Sequence, residues 1–143
     1  MGNVDQVKAK VQSYLAQDFS GVTLEDDGFS LRHGSARAFV RVYQRADDGP
    51  IIINITVPLL FGVRDGADLH QYVAFHADDY LFGHLSLYRQ EDGRVDVFMT
   101  HHLLGDYLDQ AELGHAIGGL LVTGNDLDDE LQTTFGGNKF HED

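Results

Sequence analysis

The sequence predicts an α+β fold of element order α-β-β-β-α-β-β-α, with a five-stranded antiparallel sheet and helices packed on one of its faces. Three observations lead there. Apolar residues recur at helical spacing near both ends of the chain and once in the middle, while the stretches between them alternate apolar and polar at every second position. Turn signatures follow the strands so closely that neighbours must run antiparallel. When the hairpins are closed at those turns, the aliphatic residues of every strand fall on one side, as a sheet with a single buried face requires.

The first helix is marked by Val4, Val7, Val11, Tyr14 and Leu15 and ends near Gly21. Phe29 and Leu31 then alternate with Ser30 and Arg32, and His33-Gly34 reads as a two-residue turn. The next strand is "ARAFVRVYQR", Ala36 to Arg45, and "ADDG" at 46–49 turns the chain into "IIINITVPL". The first turn sets Leu31 against Ala36 and Phe29 against Ala38. The second sets Val42 against Ile53, Val40 against Ile55 and Ala38 against Val57. Leu69, Tyr72, Val73 and His76 carry a short second helix, and "GHLSLYRQ" and "RVDVFMTHH" are two further strands joined by "EDG". A three-residue loop with Gly93 in the left-handed conformation pairs Leu87 with Val97 and Leu85 with Met99. Asp109, with Glu112 three residues on, opens the last helix. Its apolar face runs from Leu113 to Phe135, and Gly136-Gly137 stops it. Gly118, Gly119 and Gly124 weaken its middle, so a break near "TGND" is an open alternative. Residues 1–137 read as one α+β domain and 138–143 as a flexible tail.

Composition narrows the function. With 10 Lys+Arg against 23 Asp+Glu, a formal charge of −13 and no cysteine, the chain lacks the clustered cations that phosphate-backbone binding needs, and it lacks thiol chemistry. Nucleic acid is an unsuitable partner. No apolar run approaches the roughly 20 residues of a membrane span, and no secretory signal opens the chain, so the expectation is a cytoplasmic protein without membrane contact.

Catalytic and metal-binding patterns are weak. His101 and His102 are adjacent, so a strand points them to opposite faces, and His70 and His76 lack an i, i+4 ligand spacing. "NDLDDE" at 125–130 resembles the start of a calcium loop but has no glycine at the sixth place, and a solvated helix face accounts for it. No serine lies in an elbow motif. The sequence thus gives no catalytic residue, metal ligand or cofactor site. What remains is a stripe. The registers place Arg37, Phe39, Arg41 and Tyr43 on the side away from the helices, joined by Tyr88 and Phe98, with Arg45 near the edge and Asp96 as the only acid. Arginine and aromatic residues are the types enriched in interface hot spots. Two readings compete: a partner-binding or dimer surface, or a solvated face whose arginines pair with loop carboxylates for about 0 to 1 kcal/mol each. A runner-up of another class groups His84, Tyr88, Asp96 and His102 as the site of a small ligand- or metal-binding protein or enzyme.

The element order, together with "LEDDGFSLRHGSARAFVRV" and "LLVTGNDLDDELQTTFGG", resembles the type III secretion chaperone-like superfamily, including its YbjN-like members, over Val4 to Phe135. The resemblance implies a bacterial, cytoplasmic homodimer that binds a protein or peptide partner without catalysis. It assigns no functional residue, because no signature motif matches.

Overall fold

The structure is a computed structural model that describes residues 2–140. It runs α1 (Gly2–Asp18), β1 (Thr23–Glu25), β2 (Gly28–His33), β3 (Ala36–Gln44), β4 (Ile51–Val63), α2 (Ala67–Phe75), β5 (His84–Arg89), β6 (Val95–Leu104), α3 (Gln110–Phe135) and β7 (Asn138–Lys139). The sheet is antiparallel, in the order β1-β2-β3-β4-β6-β5, with β7 paired to β4 off that path. The fold class is the one expected, but among the described residues the strands number seven rather than five. The two additions are three and two residues long, too short for an alternating pattern to develop.

The registers decide which side chains reach the core. Val42 pairs with Ile53 and Val40 with Ile55, as the turn over Asp47-Asp48 requires. Leu87 pairs with Val97 and Leu85 with Met99, and Gly93 takes φ 88° in the three-residue loop. The first hairpin differs. Its turn is Gly34-Ser35, so Leu31 meets Ala38 and Phe29 meets Val40. A shift of two residues conserves the strand's side-chain parity, and so the same residues stay inward. β4 also runs past the expected "IIINITVPL" to Val63, with register irregularities after Pro58 and Leu60.

The inward face and the helices share one apolar cluster, in which Ala38, Ile53, Ile55, Val57 and Met99 meet Val11 and Leu15 of α1 and Leu113, Ile117 and Leu120 of α3. Asp109 caps α3 by accepting from the Glu112 backbone N–H at 2.8 Å. The helix continues unbroken through "TGND" to Gly136, so the suggested break is absent. Gly124 explains why: a Cβ there would lie 2.8 Å from Val57 Cγ1, so the residue that costs helix propensity lets α3 approach β4 closely.

Two expectations are corrected. The tail assigned to 138–143 is not loose in its first part, because Asn138 and Lys139 pair with Phe61 and Leu60 of β4; residues 141–143 lie outside the described residues. "NDLDDE" is not wholly a solvated face. Asp128 is 3% exposed, accepts from the Ser35 hydroxyl, and belongs to a polar junction in which Asn125 Oδ1 accepts from the Ser35 backbone N–H at 2.9 Å.

Candidate functional site

The sheet face opposite the helices is built by strand parity. Within β3, residues two apart point the same way, so Arg37, Phe39, Arg41 and Tyr43 form one row. They stand beside Thr56, Asn54 and Ile52 of β4. Each guanidinium folds over the ring that follows it: Arg37 Cζ lies 4.9 Å from the Phe39 centroid and Arg41 Cζ 4.7 Å from that of Tyr43. Each such stack is worth about 0.5–1 kcal/mol at an exposed site and holds cation and ring as a unit. Phe39 and Tyr43 are half-buried and Arg41 is exposed, and among the described residues neither ring belongs to the apolar cluster that the sheet shares with the helices. Arg45 lies beyond the end of β3, in the turn.

The arginines also meet carboxylates. Arg37 reaches Glu25 at 3.1 Å and donates to Ser30 Oγ at 2.9 Å, while Ser30 donates to Glu25 at 2.7 Å. This triad closes over Ser30 and fixes Arg37. Arg41 meets Asp27 at 3.1 Å in a pair open to solvent on both sides, which contributes about 0 to 1 kcal/mol. Pairing with loop acids and display on the open face therefore occur together, and β1 with its turn supplies the acids.

Across the sheet the face changes character. A polar row follows, in which Thr56 donates to Asn54 at 2.8 Å, Asn54 Nδ2 meets His102 Nε2 at 2.9 Å, and Ser86 and Thr100 lie 3.2 Å apart. Tyr88 is 63% exposed. Phe98 packs edge-on against Phe61 at 6.0 Å; Phe61 meets Phe140 at 5.5 Å, and Phe140 meets Phe39 at 5.6 Å. Phe61 and Phe140 thus enlarge the stripe to a four-phenylalanine cluster that the sequence did not reveal. The irregularity after Pro58 hides the parity of Phe61, and a terminal "NKF" has no periodicity to read.

Asp96 is not a free acid on this face. It is 7% exposed and accepts from the Gly62 backbone N–H at 3.1 Å and from Gln90 Nε2 at 2.5 Å. The His84, Tyr88, Asp96 and His102 grouping does not assemble. His84 stands opposite Thr100, and Tyr88 opposite Asp96 four residues away, roughly 13 Å along the strand. Among the described residues no three His, Asp or Glu side chains converge as a metal site. His101 points to the helix side, where its Nδ1 accepts from the Gly83 backbone N–H at 3.0 Å. Burial, and next the neighbouring His102 and His84, lower its pKa.

Other apolar residues stand clear of the stripe: Phe75 at the end of α2 and Tyr107 before α3 are both 82% exposed. No helix among the described residues is long and apolar enough to cross a membrane.

Comparison with known proteins gives matches both to a sequence family and to solved structures. The sequence profile described as "T3SS (YopN, CesT) and YbjN peptide-binding chaperone 1" matches residues 3–143. Among solved structures, a chain of the "Crystal Structure of the ExsC-ExsE Complex" is similar at a TM-score of 0.59 and 15% identity, over 85% of this chain and 93% of that one. At that identity the likeness speaks to the fold. No curated protein sequence matches.

Proposed function

This chain belongs to the family of type III secretion and YbjN peptide-binding chaperones, and from that premise we propose that it is a non-enzymatic holder of a protein or peptide segment that works through its open sheet face. The observation that supports this reading is the pairing of cations with rings on the sheet face turned away from the helix-packed core. Such a surface offers rigid apolar area and the Arg41 guanidinium, whose exposed pair with Asp27 can be exchanged for a carboxylate of an acidic, aromatic-bearing segment. The proposed working form is a cytoplasmic homodimer, in which a second copy brings a second such face. Arg37, Phe39, Arg41, Tyr43, Tyr88 and Phe98 are the proposed contact residues.

Replacing Arg41 by Asp and Tyr43 by Ser tests this. The double variant is expected to lose at least tenfold in partner affinity, about 1.4 kcal/mol, or to lose self-association in sedimentation, with its circular dichroism unchanged. Unaltered association and capture would remove this face from the account.

A further inference from the structure

β4 is longer than the strand beside it. The pairing of β3 with β4 reaches Phe39 opposite Thr56 near the start of β3 at Ala36, yet β4 continues to Val63. Asn138 and Lys139 pair antiparallel with Phe61 and Leu60 on that continuation. Phe140 then lies on the open face, its ring 5.6 Å from that of Phe39 and 5.5 Å from that of Phe61. A two-residue strand holds little by pairing alone. Its anchors are the Phe140 ring, the Lys139 to Asp129 contact at 2.5 Å and the Gln132 bond to the Gly137 carbonyl at 3.1 Å.

We propose that Asn138–Phe140 is an intramolecular occupant of a peptide-binding slot, whose external ligand is an extended segment of another protein carrying an aromatic residue followed by acidic residues. The inference rests on reading the open sheet face as the binding surface. Backbone pairing along Leu60 and Phe61 is strand addition and accepts many sequences; the seat between Phe39 and Phe61 selects a ring. The acidic preference comes from Arg41 on the same face, whose pair with Asp27 is open to solvent and can be exchanged for a ligand carboxylate, whereas Arg37 is already held by Glu25 and Ser30. In this chain's own sequence Phe140 is followed by His141, Glu142 and Asp143. A tether this short gives the internal segment an effective concentration of roughly millimolar. An external ligand therefore displaces it only by engaging more of the face.

The probe is a fluorescently labelled hexapeptide, Asn-Lys-Phe-His-Glu-Asp, titrated by anisotropy into the full chain and into two full-length variants. Phe140→Ala removes the internal ring, and Lys139→Pro removes the strand pairing. Both variants are expected to bind the probe at least tenfold more tightly than the unaltered chain, and a probe with Ala in place of Phe is expected to lose that gain. If neither variant binds more tightly, or if the Ala probe binds as well, the slot is overturned. If the gain in the Phe140→Ala chain survives addition of Arg41→Asp and Tyr43→Ser, the slot stands while the arginine row is excluded from it. Loss of partner capture on changing Arg41 and Tyr43, with no gain in either tail variant, overturns this inference alone.

Discussion

Ser35 illustrates how much one side chain can carry. Its hydroxyl lies against Asp128 and its backbone N–H against Asn125, tying the β2–β3 turn to α3 in a part-buried junction around the buried Asp128 side chain. Asp128 Oδ1 finds no donor among the described residues, so this carboxylate depends on the serine. Leaving a buried polar group without its hydrogen-bond partner costs about 1–3 kcal/mol. Ser35→Ala is expected to lower urea stability by that amount at an unchanged m value, whereas exposed Asp126→Asn should stay within about 0.5 kcal/mol. His101 supplies a pH dependence. Its pKa in the folded chain lies below the ordinary value of about 6.5, so the unfolded chain takes up the proton first. The resulting stability is fully present above that value and declines as pH falls through it toward the lowered one. Thermal midpoints measured from pH 7.5 to 5 should show this decline, and His101→Gln, which retains an acceptor for the Gly83 N–H, should flatten it. Individual residues were partly legible. Strand parity put Arg37, Phe39, Arg41 and Tyr43 on one face, but nothing in "NDLDDE" distinguishes buried Asp128 from its solvated neighbours, because burial there depends on a turn ninety residues away in sequence.

The elements show which sequence signals suffice. A hairpin with a nine-residue strand and a clear turn fixes its own pairing, because one slipped residue would expose every aliphatic side chain. The first hairpin could slip by two without that penalty, so its turn was misplaced while its faces were right. β1 and β7 had no such constraint and were invisible in the sequence. The glycines of α3 separate local from tertiary effects. A Cβ at Gly118 would meet nothing within 4 Å, whereas one at Gly124 would lie 2.8 Å from Val57. Gly118→Ala is therefore expected to stabilise the chain by about 0.5–1 kcal/mol through helix propensity. Gly124→Ala is expected to destabilise it by about 1–3 kcal/mol by forcing α3 off the sheet. Thermal unfolding of the two variants side by side reads the difference. Equal stabilisation would mean that α3 does not approach β4 closely.

For the whole molecule, the sheet presents two different faces. One joins the helices in an apolar core; the other carries rings together with Arg37 and Arg41, two of the 10 Lys+Arg of a strongly acidic chain. The element order, read from periodicity, conveyed this division; the family resemblance rested on that order together with two stretches of sequence. The extent of the aromatic surface did not, since Phe61 and Phe140 reach it through a strand irregularity and a two-residue pairing. Hydroxyl-radical footprinting of the chain, alone and with a captured partner at the same oligomeric state, tests the open face most directly. Phe39, Tyr43 and Phe98 should lose reactivity on partner binding while Phe75 and Tyr107 keep theirs; protection confined to Phe75 and Tyr107 would contradict a sheet-face site.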